Sequence, residues 1–266
     1  MKRMDAEKAS RLAIGLTLGG LAAIAAAGFV FVDYKGLDVG AANSKFLSDL
    51  FTMMTQPGSK HFGLGEALAA LLTTLCLGIL TTVIGAILAL VAAPFASRNL
   101  SRPALVAFLK GFVALIRAVP TVLWVLIFAI GAGLGSVAAV VGMSFHSFGY
   151  LLKAYSESFE EIDGEVIEAL KATGAGWTQI VAQAVLPSSL GQIVSWTFIR
   201  FEINFTNAVA MGAAAGAGGI GYQLFMSAGF YFDIHEVGYI TWLILTVAVG
   251  LEAAAIRIKD AQRVSR

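Results

Sequence analysis

The sequence predicts an all-α integral membrane protein with six transmembrane helices, and three observations carry that prediction. Of 266 residues, 58% are hydrophobic and only 13% are charged, against roughly 25% charged in soluble domains. The charges fall in short stretches between apolar runs of about 20 residues, the length that crosses a bilayer. Basic residues collect in alternate connections, as the positive-inside rule requires of cytoplasmic segments. Glycine and alanine are abundant within the runs, which permits close helix approach in lipid. The net charge of +1 carries no information on partners, and no nucleic acid is expected. The single cysteine, Cys76, lies in an apolar run; it cannot close an internal disulfide and is expected to be buried by packing.

The chain opens with Lys2, Arg3, Lys8 and Arg11, followed by an apolar run over 12–32 that forms the first span. The basic flank places the N-terminus in the cytoplasm. The same layout suits a signal peptide with a cleavage site in 22–27, but an h-region is only about 7–15 residues, so an uncleaved anchor is expected. An external stretch over 33–62 follows, its charges balanced among Asp33, Lys35, Asp38, Lys45, Asp49 and Lys60. Within it Phe46, Leu47, Leu50, Phe51, Met53 and Met54 make a short amphipathic helix, ended by Pro57 and Gly58. That helix lies on the outer membrane surface or packs on the outer ends of the spans. Residues 1–65 are therefore an N-terminal unit, and 66–260 are the main transmembrane domain.

The second span, 66–95, returns inward and ends at Pro94; its Thr73, Thr74, Thr81 and Thr82 hydroxyls bond their own backbone or a neighbouring helix. The short basic connection 97–102 is cytoplasmic. The third span runs outward over 103–130, with Lys110 snorkelling to the inner interface and Arg117 deeper, shortly before Pro120. An uncharged outer turn, 131–135, leads to the fourth span, 136–155. His146 in that span is read as a packed, hydrogen-bonded residue, since no second ligand stands at metal spacing. The fifth span starts at Pro187, contains Arg200, Glu202 and Asn204, and ends in a Gly/Ala-rich run over 213–221. Asp233, His235 and Glu236 mark an external loop, and 237–256 is the sixth span. Arg257, Lys259, Arg263 and Arg266 place the C-terminus inside, so both termini are cytoplasmic.

The connection 156–186 is the longest polar-punctuated stretch. Asp163 suits a helix N-cap, with Glu165 and Glu168 in the following turns. Gly174 suits the C′ position. A second short helix begins near Trp177, with Trp177, Ile180, Val181, Ala184 and Val185 at helical spacing. Pro187 suits the first turn of the next helix. This pattern resembles the cytoplasmic EAA loop of the membrane subunit of bacterial ABC importers. Glu168, Ala169, Gly174, Leu186 and Pro187 match that loop in register, while Leu170 replaces its second Ala and Ala184 its usual Ile.

From residue 66 onward the chain resembles the five-helix core of the type I ABC importer permease fold, with 12–32 as an added N-terminal helix. A closer resemblance is to the phosphonate-importer branch. It is carried by Glu160-Glu161-Ile162-Asp163, by 168–175, by Arg200-Phe201-Glu202-Ile203-Asn204, by 216–221 and by Arg117-Ala118-Val119-Pro120. Phe205, Thr206 and Asn207 depart from that branch, which often has an Arg or Ser there, so the phosphorus compound stays open.

The resemblance implies a multi-pass permease of a bacterial inner membrane that imports phosphonates. The alternatives are phosphate, phosphite or another small solute; the Arg-Phe-Glu-Ile-Asn string argues against methionine. It implies a second permease copy, identical or a close paralogue, two ABC ATPase subunits, an extracytoplasmic solute-binding protein and surrounding membrane lipid. The Glu168 loop would dock into a groove of the ATPase. No cofactor is expected on this chain, and ATP and Mg belong to the ATPase. The chain has no Gly-x-x-x-x-Gly-Lys-Ser/Thr sequence, and the glycine run 216–221 lacks the Lys and the preceding soluble strand. That run reads instead as a helix break.

Two other classes remain as alternatives. An intramembrane enzyme needs a nucleophile–base pair or a metal set, and Ser144 and His146, two apart, face apart on a helix. No catalytic or metal-binding residue is therefore expected. A passive channel is the other alternative.

Arg117 lies fourteen residues beyond Pro103, and Arg200 thirteen beyond Pro187. Both then stand about 20 Å above their helix starts, inside a hydrocarbon core about 30 Å thick. Charges at that depth face protein or a water-filled path. The expected arrangement pairs Glu202 with Arg117 and leaves Arg200 to attract an anionic substrate; the alternative holds all three charges in one fixed network, and Asn204 belongs to that network or path.

Overall fold

The computed structural model describes residues 2–31, 36 and 38–264, without the side chains of 2–7, 9 and 258–264. The expected features at Asp33, Lys35 and Arg266, and the side chains of Lys2, Arg3, Lys259 and Arg263, lie outside that description. The elements are all helices, with no strand among the described residues. The chain divides into two compact units, 1–48 and 49–266.

In the first unit, α1 (Lys2–Phe31) contains an apolar stretch, Ser10–Phe31, of 22 residues with mean hydropathy 2.0. Asp38 caps the next helix, α2 (Val39–Thr55), accepting hydrogen bonds from Gly40 N and Ala41 N, both at 3.0 Å.

The second unit is built around α3 (Leu64–Ala96) and α6 (Ser136–Glu160), which pack along each other. Small residues make this possible. A Cβ added at Gly85 of α3 would lie 2.6 Å from Ser147 Cβ of α6. Around this pair stand α4 (Pro103–Ala118), α5 (Thr121–Ala132), α9 (Leu186–Ala214), α10 (Gly219–Gly229) and α11 (Ile234–Val264). The core has three clusters: a first including Tyr155, Phe159, Ile167 and Val185, a second around Val125, Met143 and Met211, and a third around Phe62, Phe205 and Ile240.

Several expected boundaries are corrected. The third span is not one straight helix: α4 and α5 meet at 91°. Val119 precedes a proline and is driven out of the helical region, at φ −93° and ψ 126°. Trp124 Nε1 donates to Ile116 O across the break at 2.9 Å, satisfying a carbonyl of the last turn of α4. Pro94 does not end the second span, since α3 continues to Ala96. The fourth span continues past Tyr155 to Glu160. Cys76, expected to be buried, is exposed on the outer face of α3.

Pro187 lies in the first turn of α9, as expected, but that helix does not begin from a loop. A short helix α8 (Trp177–Ile180) passes through a π-helical turn (Val181–Val185) directly into α9. The Leu186 N–H reaches back five residues to Val181 O. The widened turn relieves the clash that the proline ring makes with the carbonyl four residues earlier.

Among the described residues four helices are long and apolar enough to cross a membrane, and the bent α4–α5 pair makes a fifth if it is one span. The 29-residue α9 is not among them; its apolar sequence is interrupted by Arg200, Glu202, Asn204, Thr206 and Asn207. The glycine run after α9 is the expected break. Gly216, Gly218 and Gly219 all have positive φ, and α10 then folds back on α9. Thr74 Oγ1 accepts from Ile220 N at 2.9 Å, capping the start of α10 from α3. At eleven residues, about 16 Å, α10 is too short to span.

A strap over 56–63 is tied to the start of α11. Buried Glu236 accepts from Lys60 N and His61 N at 2.8 and 2.7 Å and from Ser227 Oγ at 3.0 Å. Lys60 pairs with Asp233 at 3.3 Å. Desolvation pushes the Asp233 carboxyl up, but hydrogen bonds from Lys60 and from the backbone N–H groups of Glu236 and His235 hold it below its ordinary value.

Candidate functional site

The first element of the site is α7 (Gly164–Ala172). Asp163 caps it as expected, accepting from Glu165 N at 2.9 Å. Gly174, at φ +85°, ends it. Gly174 N donates to Lys171 O at 3.0 Å and Ala175 N to Leu170 O at 3.2 Å, the paired bonds of a Schellman motif. Ile167 is buried in the first core cluster, with Leu170 packed against it. The opposite face is free: Glu165, Glu168 and Ala169 are all exposed. The helix is therefore seated by one apolar face on the ends of the spans and presents a carboxylate away from them. Of the matched loop residues, Pro187 and Gly174 are exposed and Leu186 is half-buried against the first core cluster.

The second element is a polar network inside the bundle. Asn204 of α9 donates through Nδ2 to Thr82 Oγ1 of α3 at 2.9 Å and to Ser147 Oγ of α6 at 2.8 Å. Ser147 Oγ accepts from Arg200 Nε at 3.0 Å. Arg200 Nη2 meets His146 Nδ1 at 3.0 Å, and Thr121 Oγ1 of α5 lies 3.2 Å from the same nitrogen. The Arg200 guanidinium also sits 5.2 Å above the Tyr150 ring, a cation–π contact. Thus four helices are joined through Asn204 and Arg200, one turn apart on α9.

Arg200 is only 2% exposed, and no ion pair to a carboxylate is formed by it among the described residues. Its charge is met by neutral acceptors and an aromatic face, and its Nη1 donates to no described residue. A buried cation without a carboxylate is costly, and the arrangement favours an anion beside it.

The expected Arg117–Glu202 pair is not formed among the described residues. Arg117 is in the last turn of α4, exposed at a cavity shared with Lys110, Lys153 and Glu157. Glu202 is half-buried on α9, which makes its main contacts with α3, α6, α10 and α11 rather than with α4. The bend at Pro120 explains the miss, because equal helical depth holds only for straight spans.

Sequence reasoning brought Arg200 and Asn204 forward but missed Thr82, Ser147 and Thr121 as their partners. A lone hydroxyl in an apolar run carries no signal of its own; the signal lies in the small Gly85 opposite Ser147, legible only once α3 and α6 are paired. Ser144, considered as a nucleophile, is buried and its Oγ has no hydrogen-bond partner among the described residues, and His146 turns to Thr121 and Arg200 instead. No cluster of three or more metal-ligating residues occurs among the described residues.

Comparison with known proteins agrees with this architecture. Residues 85–258 match the family described as "Binding-protein-dependent transport system inner membrane component". Over 76% of its length the chain is 32% identical to the phosphate-import permease protein PhnE of Mycolicibacterium smegmatis, covering 38% of that protein. Over 69% of its length it is 32% identical to the phosphite transport system permease protein PtxC of Stutzerimonas stutzeri, covering 66% of it. The chain thus spans less than two thirds of these relatives. Among solved structures, the MetNI methionine ABC transporter in an inward-facing conformation superposes with a TM-score of 0.64 over 75% of this chain and 99% of the compared chain, at 21% identity. That likeness establishes the fold, the expected type I ABC importer permease fold.

Proposed function

Because the chain belongs to the family of binding-protein-dependent transport system inner-membrane components, we propose that it is the permease subunit of an ATP-driven importer of phosphonates. The observation that carries the reading is α7: a capped, Schellman-ended helix anchored by Ile167 and presenting exposed Glu168. A helix of nine residues is about 14 Å long, stiff enough to pass a push from a docked ATPase to the spans that Ile167 touches. ATP and Mg are bound by that partner, a solute-binding protein delivers cargo from outside, and a second permease copy completes the path. Both termini and the 156–186 connection lie in the cytoplasm.

Within the spans, Arg200 attracts the anionic cargo, and Ser147, itself bonded to Asn204, holds the guanidinium in place. Arg117 adds positive charge at the bend between α4 and α5. The names of the relatives support a phosphorus oxyanion, and they favour phosphite or phosphate as the second reading. Purification with bound partners and competition among labelled phosphonate, phosphite and phosphate tests the assignment. ATP-dependent uptake of phosphonate is expected. Preference for a cationic or neutral solute contradicts it.

A further inference from the structure

A cleft of about 600 Å³ lies where the end of α3, the start of α4 and the end of α7 converge, lined by Phe95, Ser101, Arg102, Leu105, Lys171 and Trp177 among others. Its lining includes no carboxylate. Arg102 and Lys171 are exposed and form no ion pair among the described residues. The first hydrogen bond of α4 runs from Val106 N to Arg102 O, so the N–H groups of Ala104 and Leu105, with no partner among the described residues, stand before it. They add the positive end of a sixteen-residue helix to the two side-chain charges.

The other wall is apolar and fixed. The Phe95 and Trp177 rings lie 5.1 Å apart. Trp177 Nε1 donates to Leu100 O at 2.9 Å. Beyond the cleft, exposed apolar side chains continue along both spans at helical spacing. Leu88, Val91 and Phe95 follow α3, and Leu105, Phe108 and Phe112 follow α4. A basic pocket opening onto two apolar tracks is the shape of an anionic lipid: phosphate in the pocket, acyl chains on the tracks.

We propose that this cleft binds an anionic phospholipid, with its phosphate held by Arg102 and Lys171 and its chains lying along α3 and α4. A free phosphate or an acidic protein segment shares the headgroup chemistry but makes no use of the tracks. The site is independent of the cargo in the importer. Lys171 is in the last turn of the coupling helix, so the lipid also ties α7 to the membrane surface.

The test uses the purified full chain in detergent, titrated with phosphatidylglycerol or phosphatidylcholine of identical acyl chains and read by native mass spectrometry. Phosphatidylglycerol is expected to bind about thirtyfold tighter, from the charge attraction of two basic residues near a surface. The double variant Arg102→Gln, Lys171→Gln is expected to bind both lipids alike. Arg98→Gln, exposed in the same connection but outside the cleft, is expected to keep the preference. Equal binding of the two lipids by the unaltered chain overturns the proposal. So does unchanged preference in the double variant, or an equal loss in Arg98→Gln. Displacement by inorganic phosphate identifies a free-anion site and also overturns it. Loss of ATPase copurification in the double variant with lipid preference intact identifies a protein contact instead.

Discussion

Arg200 Nε donates to Ser147 Oγ at 3.0 Å, joining α9 to α6 inside the helix bundle through a cation that no described carboxylate neutralises. The first prediction follows from that contact. Arg200→Gln keeps a polar group beside Ser147 and His146 but removes the charge. Import is expected to fall by about tenfold or more, equivalent to ~1.4 kcal/mol, while the protein still reaches the membrane and retains its partners. Unchanged uptake removes Arg200 from the path.

Asn204 holds Thr82 and Ser147 together across three helices. Asn204→Leu deprives both hydroxyls of their shared partner, and melting in detergent is expected at lower temperature, with a loss of about 1–3 kcal/mol. Asn204→Asp places a carboxylate near Ser147 and Arg200. It is expected to fold well and to import poorly, because the positive charge becomes neutralised from within. An Asn204→Asp protein that imports normally contradicts the role given to the Arg200 charge.

Close helix packing makes a sharper stability prediction. A Cβ at Gly142 would lie 2.6 Å from the Val125 backbone, whereas one at Gly111 meets nothing within 4 Å. Gly142→Leu is expected to cost at least about 1–3 kcal/mol by overpacking, and Gly111→Ala to leave thermal stability nearly unchanged. Equal stability in both variants would mean that α5 and α6 do not meet as described.

Topology is checked by labelling single cysteines in a Cys76→Ser background, needed because Cys76 is exposed. Impermeant reagent added outside intact cells is expected to label Asp233→Cys and to spare Glu165→Cys until the membrane is opened. Protection at 233 combined with external labelling at 165 inverts the assignment.

The elements of α7 were legible because each rested on a local rule. Asp163 before an acidic first turn, and Gly174 followed by a second periodic segment, need no tertiary information. The bend at Pro120 was only partly legible. Its proline was visible, but a pre-proline residue kinks a span in some membrane helices and turns it through 91° here. The continuous path from Trp177 to Ala214 ran against the usual meaning of proline, since a π turn absorbed Pro187. The network around Arg200 depended on which helices pair, and no periodicity in a single chain encodes that. The same gap accounts for Cys76, whose apolar neighbours in sequence place it in a span without saying which face it takes.

The most direct measurement is uptake of labelled phosphonate into proteoliposomes containing the permease with its copurified ATPase and binding protein, comparing the unaltered chain with Glu168→Arg. Glu168 is exposed and its helix is held from the other face by Ile167, so the substitution leaves the fold intact. ATP-dependent uptake is expected of the unaltered chain, and loss of uptake together with weakened ATPase association of the variant. Uptake that proceeds without ATP, or full ATP-driven uptake in Glu168→Arg, contradicts that expectation.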